Sequence, residues 1–233
     1  MCGRFTQTSS RGLQTQFSLG KAPPVIPPEY NIAPTRTVPV VVAEEGERML
    51  RPSRWGFDSK GPQKGVLNNA RSETADQLFT FRGAFRSRRC IIPASGFFEW
   101  LRSGKEKLPY YFTHEGGDYL AFAGLWEETD RAEGPRTNFT ILTTAANALM
   151  EPIHDRMPAL LAPEEYDRWL DPDAPVGALK PLLRPYEGEG LIRFPVSKAV
   201  NSTRNDGPEL IQPYEEPQPS LFADSPGETL NSK

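Results

Sequence analysis

The sequence predicts an α+β fold in which short helices flank a mostly antiparallel, barrel-like sheet. Three observations point there. Short runs of β-branched and aromatic residues recur along the chain, with Gly-containing turns between them. Helical patterns are few and sit between groups of strands. The 24 prolines among 233 residues argue against a long helical bundle, because proline removes an amide donor and breaks helix interiors.

The elements follow in order. Ser9 or Ser10 is placed to cap a short helix running towards Phe17. Residues 21–34 form a Pro-rich loop ending in Tyr30-Asn31-Ile32-Ala33-Pro34. Val38 to Ala43 is β-branched and pairs with Arg51 to Phe57 across the turn at Glu44-Glu45-Gly46. Glu73 to Arg86 carries Leu78, Phe81 and Phe85 at helical spacing. Strands are predicted at 90–93, 96–101, 110–114, 119–126 and 138–144, with a short helix over 145–150. Pro163 to Leu170 reads as a helix with proline near its start, and 191–196 as a last strand. Residues 2–213 are expected to form a single domain. The Pro-, Glu-, Ser- and Gly-rich residues 214–233 are expected to be a disordered tail.

Net charge is −3. That lowers the expectation of a nucleic-acid binder without excluding a local basic groove, since recognition responds to the local field. Two cysteines make no disulfide framework, which suits a reducing compartment. Cys90 reads as a small buried core residue. No signal peptide and no membrane-spanning run is visible, so the protein is expected in the cytoplasm. No metal or phosphate-loop signature appears, and no cofactor is expected.

Cys2 is the first candidate for chemistry. A cysteine near a chain end is as readily an accident as a reagent. Removal of Met1, however, leaves an α-amine and a thiol on one residue, with ordinary pKa values of about 7.7–8.0 and about 8.5. Such an aminothiol condenses with an aldehyde to an imine, and its sulfur then closes a thiazolidine. It also serves as nucleophile and base of an amide-cleaving enzyme. Glu99 lies among aromatics in Gly96-Phe97-Phe98-Glu99-Trp100. It is either an outward-facing strand residue or a carboxyl with raised pKa fit for general acid work. His114 reads as a surface residue in a turn. His154 lies in Ile153-His154-Asp155-Arg156-Met157-Pro158, an irregular polar segment that suits a site loop. Asn68 to Thr74 is placed near a helix N-terminus, where Arg71 and backbone amides suit a phosphate. The arginines and lysines between Arg82 and Lys107 read as a solvated face rather than a groove.

Taken with Met1-Cys2-Gly3-Arg4-Phe5, Trp55-Gly56-Phe57, Asn69-Ala70-Arg71-Ser72-Glu73-Thr74, Val196-Ser197-Lys198-Ala199-Val200 and Glu209-Leu210-Ile211-Gln212-Pro213, these motifs resemble the SOS response-associated peptidase (SRAP) family. Each motif alone is weak, but their number and order over residues 2–213 are specific. The resemblance implies a mixed α/β fold around a barrel-like sheet. It also implies a protein that binds single-stranded DNA containing abasic sites and crosslinks the exposed aldehyde as a thiazolidine. Cys2 matches the crosslinking cysteine, and Asn69 an asparagine that orients it. Glu99 matches the acid/base, and His154 a histidine that moves protons, including in crosslink reversal. Arg4, Arg71 and Arg156 match arginines on DNA phosphates, while Asn31, Pro34 and Thr143 resemble DNA-contacting positions. Removal of Met1 is autocatalytic in this reading. A monomer is expected, acting on DNA without a membrane partner. Gly61 and Pro62 stand where a relative carries a pair of base-wedging tryptophans, a departure that removes stacking worth about 1–3 kcal/mol per base. The rival readings are an N-terminal-nucleophile glutamine amidotransferase using Cys2, and a DNA-binding module that makes no covalent bond.

Overall fold

The computed structural model describes residues 2–59, 65–104, 106–132 and 134–214. In chain order these form β1 (Arg4–Gln7), α1 (Leu13–Gln16), β2 (Glu29–Ile32), β3 (Thr37–Glu44), β4 (Glu47–Trp55), β5 (Phe57–Asp58), β6 (Val66–Leu67), β7 (Asn69–Arg71) and α2 (Phe79–Ser87). Then follow β8 (Arg89–Ala94), β9 (Gly96–Ser103), β10 (Glu106–His114), β11 (Leu120–Thr129), β12 (Arg136–Ala145), β13 (Arg156–Pro158), α3 (Tyr166–Leu170), α4 (Val176–Leu179) and β14 (Leu191–Pro195). Single 3-10 turns lie at Pro163–Glu165, Lys180–Leu182, Lys198–Asn201 and Pro208–Ile211.

The expected α+β barrel is present. Five strands run in the order β11-β8-β3-β4-β12, and β12 closes the ring by pairing back onto β11. Closure gives each of those strands a neighbour on both sides, and where β12 runs on past β4 and β11 it takes up β7 and β13. A second, antiparallel sheet runs β14-β10-β9-β1-β2. The alternation of the barrel strands feeds two of the three buried clusters, while the third, with Phe98 and Tyr111, belongs to the second sheet. Val38, Val40 and Val42 of β3 join one cluster while Val41 joins the other. On β11, Leu120 and Phe122 face the first, and Ala121, Ala123 and Leu125 the second. Phe5 of β1 and Phe97 of β9 bind the two sheets together: Phe5 meets the rings of Trp55 at 5.0 Å and Phe122 at 6.0 Å, and Phe97 meets Phe122 at 5.7 Å. All are fully buried, each contributing roughly 1.5–3 kcal/mol through lost water contact.

One junction places the site. Strand β4 runs parallel to β12 through Arg54 and Trp55, and β7 continues along the same line through residues 69–71. Between them the chain leaves the sheet at Gly56, whose φ of +117° and contact with Val66, where a Cβ would come within 1.9 Å, exclude other side chains. The chain then returns to the edge of β12 at Asn69.

Several expectations are corrected. The N-cap of α1 is Gly12, not Ser9 or Ser10; the Ser9 hydroxyl accepts from the Arg11 amide instead. Residues 29–32, read as loop, form β2 because β1 offers them an antiparallel edge. Residues 73–78 are successive turns, and α2 starts only at Phe79 because Leu78 is extended (φ −66°, ψ 131°). Asn69–Arg71 is therefore a strand, with no helix N-terminus at that motif. Residues 145–150 are not helical. The Asn147 side chain accepts from the Met150 amide and donates to the Tyr186 carbonyl, which fixes a turn. Residues 163–170 split into a 3-10 turn and α3. Arg89, read as part of a solvated face, is 3% exposed. Cys90 is buried as expected. Tyr214 donates its amide to the Pro195 carbonyl at 2.9 Å, so the fold reaches the first residue of the expected tail. Residues 215–233 lie outside the described residues, as do Gly61 and Pro62.

Candidate active site

Strand β9 outruns β1. Their last pair is Arg4 with Phe98, so β9 continues through Glu99 and Trp100 with β10 alone as neighbour. Cys2 and Gly3 lie before the start of β1, outside the sheet. A cavity of about 510 Å³ opens there, lined by Gly3, Arg4, Glu99 and His154 on one part and by Trp100, Arg102, Lys107 and Asn201 on the other.

Cys2 has no exposed surface, and its Sγ donates weakly to the Arg4 carbonyl at 3.8 Å. Burial pushes its thiol well above the ordinary range, and the charge of Glu99 adds in the same direction. The sulfur is thus a protonated thiol at neutral pH in this arrangement. Asn69, delivered by β7, donates its side-chain amide to the Cys2 carbonyl at 2.8 Å. Glu99 is 3% exposed, and burial raises its carboxyl to about 7. It therefore holds a transferable proton near neutrality. His154 lies on the loop before β13. Burial lowers its pKa, against the opposing pull of Asp155, and Nδ1 lies 3.0 Å from the Arg156 amide. The carboxylate of Asp155 lies 2.8 Å from the same nitrogen.

The other expected residues divide. Arg4 lines the cavity, yet its guanidinium also donates to Asn31 Oδ1 at 2.7 Å and to the Val200 carbonyl at 3.1 Å. The Asn31 amide in turn donates to the carbonyls of Val200, Ser202 and Asn205 at 2.9–3.3 Å. Arg4 and Asn31 thus clasp the segment that carries Asn201. Arg156 forks onto Glu73 at 2.6 and 2.9 Å and donates to the Thr143 carbonyl at 2.5 Å. Thr143 is fully buried, with its hydroxyl on the Ala70 carbonyl at 3.4 Å. Arg71 is exposed beside it. Pro34 lies apart, in a second cleft of about 470 Å³ with Asn31, Arg36 and Arg204. His114 ends β10 with its side chain 25% exposed. Sequence reasoning singled out neither Trp100 nor Asn201, and it read Arg102 and Lys107 as part of a solvated face, whereas both line the cavity. The signal for Trp100 and Arg102 was present: an aromatic two positions before an arginine on a strand that also carries the candidate acid.

Comparison with known proteins decides the family. The sequence model of the SOS response associated peptidase (SRAP) family matches residues 1–203. The chain belongs to the SRAP family. It is 38% identical over 226 residues to the abasic site processing protein YoqW of Bacillus subtilis, covering 92% of this chain and 100% of that one. It is 33% identical over 226 residues to the abasic site processing protein YedK of Escherichia coli, covering 91% and 100%. Among solved structures, a protein from Bacteroides thetaiotaomicron superposes with a TM-score of 0.79 at 22% identity, covering 92% of this chain and 100% of that one. Its agreement is one of fold. No helix among the described residues is long and apolar enough to cross a membrane.

Proposed function

We propose that this SRAP protein processes abasic sites by trapping their aldehyde covalently in single-stranded DNA, using Cys2 after removal of Met1. The observation that carries the proposal is the Asn69 bond to the Cys2 carbonyl, which fixes that residue directly before Gly3, a lining residue of the cavity that Glu99 and His154 also line. The names of the relatives supply the substrate class.

The chemistry follows from the electrostatics. The freed α-amine attacks the aldehyde carbon, giving a carbinolamine. Glu99, a protonated carboxyl below about pH 7, donates to the departing oxygen, so that water leaves and an imine forms. The thiol is held protonated by burial and by Glu99, so it acts second. It gives up its proton as sulfur bonds to the imine carbon, and the ring nitrogen receives a proton. The sum is aldehyde plus aminothiol giving thiazolidine plus one water. His154 relays protons at the cavity mouth and assists the reverse step. Removal of Met1 is an autoproteolytic step in this reading, which accounts for the peptidase name. Arg71 holds phosphate. Arg156 does so by exchanging its bond to Glu73, while Arg4 and Asn31 hold the wall of the cavity. Phosphate contacts of this kind position a strand without reading its sequence.

Denaturing electrophoresis after mixing the Met1-free protein with abasic single-stranded DNA tests the proposal. A denaturation-resistant band is expected. It is absent with Cys2→Ser, whose hydroxyl closes no stable thiazolidine, and it forms more slowly with Glu99→Gln. No band from wild type, or ammonia release from glutamine that Cys2→Ala abolishes, overturns the reading.

A further inference from the structure

The cavity is larger than the trap, and half its lining has no part in the chemistry above. Arg102 of β9 and Lys107 of β10 are directly opposed partners across the strand pair. Like charges so placed repel. Among the described residues neither takes an ion pair; the neighbouring Glu106 is engaged by Lys198 at 3.0 Å. Both side chains line the cavity, where Glu99 is the single acid. In a chain of net charge −3 this pair is a local concentration of positive charge that no ion pair among the described residues takes up. Beside them, the Trp100 indole is fixed through its Nε1–H, which donates to Asn201 Oδ1 at 2.6 Å. Asn201 closes the 3-10 turn Lys198–Asn201, which is capped by Ser197 and held by the Arg4–Asn31 clasp. An oriented aromatic beside two uncompensated cations suits a base and its phosphate.

We infer that Trp100, Arg102, Lys107 and Asn201 form a subsite for one nucleotide flanking the trapped residue, its base against the indole and its phosphate between the two cations. This rests on the abasic-DNA reading and extends it. The clasp gains a purpose: Arg4 and Asn31 act as positioning residues by fixing the turn that orients Trp100.

The test uses the full chain and a single-stranded oligonucleotide carrying a reduced abasic analogue, which cannot crosslink, with binding followed by fluorescence anisotropy across a salt series. Trp100→Ala is expected to weaken binding roughly 5- to 150-fold, the equivalent of about 1–3 kcal/mol for one stacked base, and Trp100→Phe to recover most of it. The Arg102→Gln, Lys107→Gln double variant is expected to reduce the slope of log K against log salt by about 0.7, the value for one phosphate on a single strand. Moving the analogue to one end of the oligonucleotide is expected to abolish the Trp100 effect, and moving it to the other end to leave it intact. Because Arg102 and Lys107 are exposed, the double variant tests the subsite even if Trp100→Ala misfolds. If wild type binds and crosslinks abasic DNA while slope and affinity are unchanged in these variants, the subsite falls alone. If wild type neither binds nor crosslinks, the functional reading falls with it.

Discussion

Arg89 and Arg102 lie in the same basic stretch, on β8 and β9, and their surroundings are opposite. The Arg89 guanidinium is almost wholly buried and donates to the carbonyls of Phe85, Arg86, Trp169 and Asp171. It terminates α2 and α3 at once, satisfying carbonyls that helix ends leave without partners. Arg102 is exposed, faces a lysine, and meets the cavity. One cation has its hydrogen-bonding capacity filled by the fold. The other carries charge that the fold leaves unneutralised. Charge alone therefore does not mark a ligand-binding arginine; the count of donors already spent does.

The contrast can be broken at either end. The largest effect is expected at Arg89: Arg89→Ala strands four carbonyls near buried surface and lowers unfolding free energy by on the order of 4 kcal/mol, at about 1–3 kcal/mol for each buried group left unpaired. Denaturant melts measure it, and a loss below about 1 kcal/mol would place Arg89 with the solvated cations. Next comes Glu99, the acid that lines the same cavity as Arg102 and Lys107. Its raised pKa means the folded chain holds more protons than the unfolded one between about 4.5 and about 7. Stability consequently falls as pH rises through that window, by on the order of 3 kcal/mol. Glu99→Gln should flatten the dependence, read as urea midpoints at pH 5 and pH 8; parallel slopes for both proteins would remove the buried-acid account.

Arg156 stands between the extremes, paired yet partly exposed through Glu73. Arg156 hydrogen bonding lowers the Glu73 pKa, so this pair contributes above the ordinary carboxylate range and is lost as pH falls through the lowered value. Glu73→Gln is expected to cost about 1 kcal/mol or less at pH 7, given its exposure, and progressively less as the pH falls below the ordinary carboxylate range. The smallest effect is expected at Arg102, where Arg102→Gln leaves stability within about 0.5 kcal/mol or raises it slightly by relieving the repulsion with Lys107. A clear loss of stability there would show a structural role and erase the contrast.

What the sequence made legible follows the same division. Cys2, Glu99 and His154 stood out because their chemistry and their motifs point the same way, and Asn69 because its motif did. The long strands β3, β8, β11 and β12 were readable from alternation and β-branched content. The short β1, β2, β7 and β13 were not, because their pairing partners are distant: β7 exists only as an addition to β12, about seventy residues later in the chain. Residues 145–150 have helix-forming composition, yet the Asn147 side chain diverts the backbone into a turn. Arg4, Asn31, Arg89 and Arg156 look alike as polar letters, and only the packed structure shows whose donors are occupied.

The overrun of β9 past β1 also has a consequence in time. The residues around Cys2 are made before any of Phe97, Phe98 or Glu99 exists, and β1 gains its β9 pairing only once that strand emerges. At about 5–20 residues per second this delay lasts several seconds or more. The Asn201 wall comes later still. During synthesis the residues around Cys2 are an open stretch of chain, and the sulfur is not yet held protonated by burial. The order of translation thus separates a period in which Cys2 is exposed from one in which it is enclosed, and an autoproteolytic step at Met1 belongs to the second.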